Sequence, residues 1–500
     1  MASTFNPNDP SHSSAGAEAS LSRRSLLRSG LLAAGAFASA AAPSAAAATA
    51  RIRRGRPRNV IFCVSDGMSA SVPALAERFS QRVGRQRGTA LRQLASDPEV
   101  TQGLLDTSSL DGPVTDSAAA SSAWASGSLV ANGALNYLPD GTRLVPIAPL
   151  LADAGWRVGL ATTTRITHAT PAGFASAVPN RDFEEAIAEQ MLGVEVLLGG
   201  GRSNFDPKDR GDGIDLLERA RGQGYSVVDR AADLDAAGEG RLLGLFSAQH
   251  LPLSLDRRSD PLLAERTPTL AAMTTAALRR LAVDDRGFLL QVEGGRVDHA
   301  AHNNDAAALL WEQLDFDDAV RVALEFAAAR DDTLVVVTAD HANGNPGLSG
   351  SGGRYRATSE LFDNLAWQRQ SFEQLLPELL RREVQVGTDD SIGECLLTRT
   401  GFAASPEAIR TLRQSLRREP TGETNPQLAG IAGQLGSLLS AHNGIGWVGT
   451  SHTSDWVVCL AKGPGQEAFE GLLGHAEVFP RLVDFAGVNH RNPTAAADRS

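Results

Sequence analysis

Short apolar runs separated by amphipathic stretches constrain the fold of this chain more than any other feature of its sequence. The runs are β-branched or Leu-rich and are bounded by Gly, Asp or Asn, which is typical of buried strands. They lie at 60–64, 158–162, 194–198, 288–292, 334–337 and 456–460. Helical patterns lie among them, at 117–125, 183–191, 270–281, 306–329 and 372–382. Such alternation predicts an α/β fold in which helices cover both faces of a mostly parallel sheet.

Acidic side chains follow three of the predicted strands. Asp66 comes after the first run, Glu293 directly after the fourth, and Asp340 with His341 shortly after the fifth. The carboxyl ends of parallel strands share one edge of a sheet, where open α/β folds bind their ligands. One such acid is typical of a helix cap or a turn. Three of them beside a histidine indicate a ligand site instead.

Further carboxylate and imidazole groups fit a metal centre. Asp298 and His302 are four residues apart, so a helix places them on one face, and His452 stands just before the last predicted strand. Mixed carboxylate and imidazole ligands suit Zn²⁺, whereas the oxygen-rich pair Asp66 and Glu293 suits Mg²⁺. Either histidine alone would be typical of a surface or core residue, but the combination predicts metal binding.

The candidate nucleophile, Ser117, begins a run of small residues. A helix that starts there leaves its N-terminal N–H groups open to an anion. The alternative is that Thr115 or Asp116 caps the helix and Ser117 is only part of its first turn. A serine hydroxyl needs a base or a metal ion to become a good nucleophile. The sequence has no Gly-x-Ser-x-Gly motif of the ordinary serine hydrolases.

Composition and charge exclude several classes of protein. The formal net charge of −11 argues against nucleic acid as a binding partner. A hydrophobic fraction of 42% is too high for a disordered chain. The 3 cysteines provide neither a disulfide framework nor a zinc knuckle. Outside the N-terminus, no apolar stretch reaches the ~20 residues of a membrane-spanning helix, so no span is expected in the mature protein.

The first fifty residues have the composition of an export signal. Arg23 and Arg24 precede an Ala-rich run at 31–50, which is the pattern of a twin-arginine signal peptide. The run ends in small residues that suit a signal peptidase. A membrane anchor is the alternative, but Pro43 and the excess of Ala over Leu make a poor span. We therefore expect removal of residues 1–50 and a mature protein in the periplasm or outside the cell.

Several segments, in their order along the chain, resemble the alkaline phosphatases. The matching motifs are VIFCVSDGM at 60–68, VTDSAA at 114–119, THATPA at 167–172 followed by Arg181, LLGGGR at 197–202, LGLFS at 243–247, VEG at 292–294, TADH at 338–341 and SHT at 451–453. Together they cover most of residues 58–465. The resemblance implies a three-layer α/β sandwich over residues 51–500, with a mostly parallel central sheet. Between 343 and 442 the strand signal fades, and we interpret that stretch as an insertion or cap.

The resemblance also implies a phosphomonoesterase that uses two zinc ions and a neighbouring magnesium ion. The implied ligands are Asp298, His302 and His452 for one zinc, Asp66, Asp340 and His341 for the other, and Asp66, Thr170 and Glu293 for magnesium. Ser117, beside the second zinc, would attack phosphorus and pass through a phosphoseryl intermediate. Arg181 would grip two phosphate oxygens with its planar fork, and Asp116 would orient Arg181.

Two histidines depart from the pattern of some family members. His168 stands where those members have a carboxylate near the magnesium, and His299 stands where they have a lysine near the phosphate. Other members resemble this chain at both positions. With fewer negative charges, the third site should bind Mg²⁺ more weakly, so the identity of its ion stays open. A neutral His299 should also hold product phosphate less tightly than a lysine would.

Two other functions compete with that of a monoesterase. Phosphodiesterases and sulfatases are built on related metal-bearing folds, but Arg181 needs two free phosphate oxygens, and the sequence has no Cys-x-Pro-x-Arg motif of the sulfatases. An exported protein that only binds metal or phosphate would lack the nucleophile or one ligand set, yet every expected position is filled. Small phosphate monoesters are the expected partners of the site, and a homodimer is expected only because it is typical of the family.

Overall fold

A ten-stranded sheet organises the chain in the computed structural model, which describes residues 55–495 except 237 and 351–354. The expected signal peptide at 1–50 lies outside the described residues. In chain order the strands are β1 (Asn59–Ser65), β2 (Thr101–Asp106), β3 (Arg157–Arg165), β4 (Val196–Gly200), β5 (Tyr225–Val228), β6 (Arg241–Leu245), β7 (Phe288–Gly294), β8 (Thr333–Thr338), β9 (Ala342–Asn343), β10 (Gly347–Leu348), β11 (Ile445–Gly446), β12 (His452–Thr453), β13 (Val457–Lys462) and β14 (Gly471–Gly474). Two small antiparallel ladders join β9 to β12 and β10 to β11.

The large sheet is almost entirely parallel. Its strand order is β14-β2-β13-β8-β1-β7-β3-β4-β6-β5. Neighbouring strands run parallel, except that β13 is antiparallel to both β2 and β8. Strands β1, β7 and β8 lie side by side, and every residue in them is buried. The predicted α/β architecture is therefore confirmed.

Helices flank this sheet. They are α1 (Val72–Arg82), α2 (Ala90–Ser96), α3 (Ser117–Ser126), α4 (Ile147–Asp153), α5 (Ala169–Ala175), α6 (Glu184–Met191), α7 (Leu216–Gly222), α8 (Asp233–Ala236), α9 (Ser254–Ser259), α10 (Pro261–Arg266), α11 (Leu270–Leu281), α12 (Arg296–His302), α13 (Ala306–Ala328), α14 (Ala357–Asp363), α15 (Phe372–Gln385), α16 (Asp389–Thr400), α17 (Pro406–Leu416), α18 (Ile431–Asn443) and α19 (Val478–Phe485). Helices α11 and α13 pack on each other and on β7, while α3, α4 and α5 form a second packed group. Within the described ranges, no helix has the length and apolar character needed to cross a bilayer.

The six predicted strands and five predicted helices all form, but the sequence patterns missed β2, β5, β6 and β14 of the large sheet and the two-residue strands β9 to β12. A glycine interrupts the apolar pattern of β2 and of β6, and β14 is short and has a glycine at each end. Two of those glycines are required by close packing. A Cβ at Gly103 would lie 2.2 Å from the carbonyl oxygen of Phe469, and one at Gly244 would lie 2.7 Å from the Leu198 side chain. The same two glycines that weaken the apolar pattern of β2 and β6 are therefore needed for these strands to pack closely.

The stretch at 343–442 is mainly helical where the structure describes it. Buried side chains of α15 to α18 form an apolar cluster separate from the main core. One tie to the sheet domain is the buried carboxylate of Asp305, which caps α13. It accepts hydrogen bonds from Gln368 Nε2 at 2.7 Å and from the Phe372 backbone N–H at 2.6 Å. The role of this stretch as an insertion or cap stays a prediction.

Candidate active site

The acids that follow the central strands meet at one edge of the sheet. The strand register pairs Val64 of β1 with Glu293 of β7 and with Thr338 of β8, so these strands end at the same level. Asp66 and Asp340 lie just beyond those ends, and both are completely buried. Adjacent parallel strands place their carboxyl ends together, which is where folds of this kind bind ligands.

Asp66, Asp340 and His341 form the first group of side chains that could hold a metal ion. Their ligand atoms all lie within 4.8 Å of one another, and His341 Nε2 is 3.3 Å from Asp340 Oδ2 and 3.6 Å from Asp66 Oδ1. Neither carboxylate oxygen of Asp66 has a hydrogen-bond partner. Burial, together with the charge of Asp340, raises the pKa of Asp66 well above its usual value. Burial also raises the pKa of Asp340 to about 6. Unpartnered buried carboxylates of this kind fit a bound cation.

Asp298, His302 and His452 form the second group. His302 Nε2 lies 3.3 Å from Asp298 Oδ2 and 3.1 Å from His452 Nε2, and His452 Nε2 lies 3.6 Å from Asp298 Oδ1. Burial lowers the pKa of His302, but the neighbouring Asp298 carboxylate outweighs it and raises that pKa to about 9. A cation bound here would displace that proton, because a metal ligand must be neutral imidazole.

The ring orientation of both histidines is fixed by backbone carbonyls. His302 Nδ1 donates to the Thr450 carbonyl at 2.7 Å, and His452 Nδ1 donates to the Thr115 carbonyl at 2.9 Å. A carbonyl oxygen can only accept, so the proton of each neutral ring sits on Nδ1 and the lone pair of Nε2 faces the site. The two groups adjoin, because the ring of His341 stacks on that of His452 with centroids 3.6 Å apart.

Asp66, His168 and Glu293 form a third group whose ligand atoms also lie within 4.8 Å of one another. Burial raises the pKa of Glu293 to about 7, although the Thr162 and Thr170 hydroxyls beside it act in the opposite direction. Oε1 of Glu293 and Nδ1 of His168 are buried without a hydrogen-bond partner. The structure therefore adds an imidazole to the oxygen donors expected for the third cation.

Ser117 is the first residue of α3 and faces the first group. Its Oγ lies 3.2 Å from His341 Nε2. Asp116 caps the helix, because its Oδ1 accepts a hydrogen bond from the Ala119 backbone N–H at 2.9 Å. The capping interpretation is confirmed for Asp116, and it leaves Ser117 in contact with His341, so the role of Ser117 as nucleophile stays a prediction.

Arg181 is held between two residues of the site. Its Nη1 donates to Asp116 Oδ2 at 3.0 Å, and its Nη2 lies 2.9 Å from His168 Nε2. The side chain is 23% exposed, so the guanidinium can meet a ligand that enters from solvent. Asp116 therefore has two roles, since one oxygen caps α3 and the other orients Arg181.

His299 lies farther out, in a cluster that the sequence patterns did not reveal. Its ring packs edge-on against His168 at 5.5 Å and against His250 at 4.5 Å. Burial lowers its pKa to about 3, so the ring is neutral, and its Nδ1 contacts the Arg296 guanidinium. His250 was missed because it follows β6, a strand that the sequence patterns also missed.

Asn343 is a second residue that the patterns did not single out. Its Nδ2 donates to Asp298 Oδ1 at 2.6 Å, and its backbone pairs with His452 in the β9–β12 ladder. A nearby glycine makes room for this arrangement. Gly67 has φ +70, and a Cβ there would lie 2.6 Å from Asp298 Oδ1. Only the two-residue spacing from His341 could have drawn attention to Asn343.

Comparisons with known proteins agree with this geometry. A sequence profile of the alkaline phosphatase family matches residues 57–488. Alkaline phosphatase 3 of Bacillus subtilis is 30% identical over 436 residues, which span 84% of this chain and 87% of the relative. The crystal structure of Thermus thermophilus alkaline phosphatase superposes with a TM-score of 0.81 at 36% identity and covers 88% of this chain and 93% of that one. A cold-active alkaline phosphatase from Shewanella sp. gives a TM-score of 0.70 at 26% identity, with 86% and 99% covered. The chain therefore belongs to the alkaline phosphatase family of metal-dependent phosphate monoester hydrolases.

Proposed function

We propose that Ser117 is the nucleophile for hydrolysis of phosphate monoesters and that two zinc ions and a third divalent cation assist it. The observation that supports this most directly is the 3.2 Å distance from Ser117 Oγ to His341 Nε2. His341 lies within 4.8 Å of Asp66 and Asp340 on one side and of Asp298 and His452 on the other. The hydroxyl thus lies at the junction of two cation sites.

The donor sets fit the proposed ions. Asp298, His302 and His452 would hold one zinc, and Asp66, Asp340 and His341 would hold the other. Both sets mix imidazole nitrogen with carboxylate oxygen, as zinc prefers. When bound, the ions would lower the pKa of a coordinated hydroxyl and stabilise the charge on the entering and leaving oxygens.

The remaining chemistry belongs to the protein side chains. Arg181 binds two phosphoryl oxygens through its fork, which requires a substrate with two free oxygens and so favours a monoester over a diester. Asp116 keeps Arg181 oriented, and the N–H groups at the start of α3 face the anion. Ser117 Oγ bonds to phosphorus as the alcohol leaves, and water then cleaves the phosphoserine to release phosphate. The two in-line displacements together retain the configuration at phosphorus.

The third cation site differs in its donors from the other two. Asp66, Thr170 and Glu293 supply oxygen, and a ring nitrogen of His168 lies within 4.8 Å of the ligand atoms of Asp66 and Glu293. Mg²⁺ prefers oxygen donors, whereas imidazole suits Zn²⁺ and other transition ions. We expect the variant His168→Asp to bind Mg²⁺ more tightly. Metal analysis after dialysis against mixed Mg²⁺ and Zn²⁺ measures this directly, and equal Mg²⁺ content in both proteins would contradict it.

The decisive experiment compares a chromogenic phosphate monoester with the matching diester at alkaline pH. Ser117→Ala should abolish monoester turnover. Ser126→Ala is the matched control, because Ser126 lies on the same helix and donates only to the Ser122 carbonyl at 2.7 Å. Preferred diester hydrolysis would assign a related phosphodiesterase instead. Tight metal binding without turnover would indicate a binding protein.

We also propose that the chain is exported in its folded form to the periplasm or beyond. Arg23 and Arg24 ahead of the Ala-rich run support this. Export of a fluorescent fusion should stop when both arginines are replaced by lysine. Unchanged export of that variant would refute the twin-arginine route.

A further inference from the structure

Arg165 and His250 form a contact whose hydrogen-bonding pattern is incomplete. The Arg165 backbone N–H lies 3.1 Å from His250 Nδ1, and Arg165 Nη1 lies 2.8 Å from His250 Nε2. A backbone N–H can only donate, so Nδ1 must be the acceptor and the ring proton must sit on Nε2. The guanidinium of Arg165 also has only donors. Arg165 Nη1 and His250 Nε2 are therefore two donors in direct contact, and neither can accept a hydrogen bond from the other.

The orientation of Arg165 is fixed from behind. Its Nε and Nη2 bind the Glu184 carboxylate at 2.8 Å and 2.6 Å. Glu184 in turn accepts hydrogen bonds from the Thr167 hydroxyl at 2.6 Å and from Asn204 Nδ2 at 2.7 Å. The Nη1 edge is left facing His250, with Gln249 Oε1 at a longer 3.4 Å. Arg165 Nη1 and His250 Nε2, here called the donor pair, are thus held in place before any ligand binds, which lowers the entropic cost of binding.

The donor pair lies beside the phosphate-binding arginine. Arg165 ends β3, at the same edge of the sheet as the catalytic groups. The ring of His250 packs edge-on against His168 with centroids 5.6 Å apart, and His168 Nε2 is 2.9 Å from Arg181 Nη2. One imidazole ring therefore separates the donor pair from Arg181. The Arg165 side chain is 22% exposed and His250 is half-buried, so both residues are partly exposed to solvent.

We propose that Arg165 and His250 form an anion subsite that binds a second phosphate group carried by the leaving group of the substrate. An oxyanion placed beside this contact, within reach of both nitrogens, would accept charge-assisted hydrogen bonds from both donors. The subsite rests on the proposed hydrolysis of monoesters at Ser117. It makes the enzyme selective for bisphosphates over simple monoesters. Free inorganic phosphate has the same chemistry and is the other source of such an anion.

A matched series of substrates tests the subsite. Each α,ω-alkanediol bisphosphate, from three to six carbons, is compared with the corresponding monophosphate of the same diol. The wild-type enzyme should favour one bisphosphate of the series in kcat/KM. His250→Phe keeps an aromatic ring against His168 but removes the N–H donor. It should lower kcat/KM for that bisphosphate by about tenfold, the value of one hydrogen bond to a charged group, and change the monophosphate by less than about threefold.

Two further variants separate a specific subsite from general electrostatics. Arg165→Gln should reproduce the selective loss. Arg202→Gln is the control, because Arg202 also carries a positive charge near this loop but is paired with Asp206 and Asp229. It should affect both substrates equally. An equal loss on both substrates in His250→Phe and Arg165→Gln, or the absence of any bisphosphate preference in the wild type, would overturn the subsite.

The remaining outcomes are also distinguishable. If the His250 and Arg165 variants alter only inhibition by inorganic phosphate and keep the bisphosphate preference, the subsite binds free phosphate and the inference about substrates is wrong. If wild-type enzyme hydrolyses neither member of any pair, the proposed function itself fails. Turnover of both members with a ratio that no variant changes refutes the subsite alone.

Discussion

Replacing Asn343 should weaken one of the proposed zinc sites without changing any proposed zinc ligand. Its amide donates to Asp298 Oδ1 at 2.6 Å, and the residue is fully buried. A hydrogen bond to a charged group contributes about 1.5–3 kcal/mol. Removing a residue that orients a metal ligand typically costs about 10- to 100-fold in metal affinity, which is about 1.4–2.7 kcal/mol. The two ranges agree, so we expect Asn343→Ala to lower zinc affinity at this site by about 10- to 100-fold. Asn343→Asp should lower it further, because a second carboxylate would face Asp298.

The assay is a competition for zinc against a chromophoric chelator, which resolves the successive equivalents. Zinc binding at the Asp298 site should weaken most, with a smaller change at the neighbouring site that shares His341, and activity should return at high zinc concentration. Ser69→Ala is the matched control. Ser69 Oγ donates to the Asn343 carbonyl at 3.0 Å and accepts from its N–H at 3.1 Å, but the amide bond to Asp298 stays. Equal losses in Ser69→Ala and Asn343→Ala would refute the reasoning, since the effect would then come from a loosened strand. Unchanged affinity in Asn343→Ala would refute it as well.

Three other predictions follow from the site. Arg181→Lys keeps the positive charge but loses the two parallel N–H donors of the guanidinium, so kcat/KM for a monoester should fall by about 10- to 100-fold. Steady-state kinetics measure this, and a change below threefold would contradict the prediction. His299→Lys places a cation where the present ring is neutral, so inorganic phosphate should become a stronger competitive inhibitor, and an unchanged inhibition constant would refute this. Removing the cations leaves Asp66, Glu293 and Asp340 buried without counter-charge, so the protein should melt at a lower temperature in the presence of a chelator. A ligand at 1,000 times its Kd contributes ~4 kcal/mol of stability, which corresponds to a melting midpoint lower by about 5 °C. Scanning calorimetry with and without chelator measures this shift, and an unshifted midpoint would contradict the prediction.

The positions of the acidic ligands could be predicted from sequence because a parallel sheet has a simple geometry. Asp66, Glu293 and Asp340 each follow a buried apolar run, and parallel strands place such residues at one edge. The strand order β8-β1-β7 then makes them neighbours. Sequence patterns predict the shared edge, but they carry no information on which strands adjoin. That step depended on the resemblance to the alkaline phosphatases.

The residues that were missed act through side-chain contacts rather than through periodicity. His250 lies in a loop after a strand that contains Gly244, and its relation to Arg165 exists only in three dimensions. Asn343 is a polar residue in a turn-like segment, where an asparagine is ordinarily explained by the turn itself. For Ser117, in contrast, the sequence pattern singled out the residue but left two interpretations of it. Its two interpretations were opposed at the level of sequence, yet a cap at Asp116 is what places the serine at the open end of the helix.

Shared side chains connect the three candidate cation sites. Asp66 belongs to both the first and the third group, and His341 lies within reach of both the first and the second. Burial, together with the charges of Asp340, Asp298 and Glu293, raises the pKa of Asp66, so bound cations would favour the ionised form of this carboxylate. Loss of one ion would therefore alter the ligands of its neighbour. We expect the cations to bind cooperatively for this reason, with the buried carboxylates rather than any direct contact between ions as the physical link.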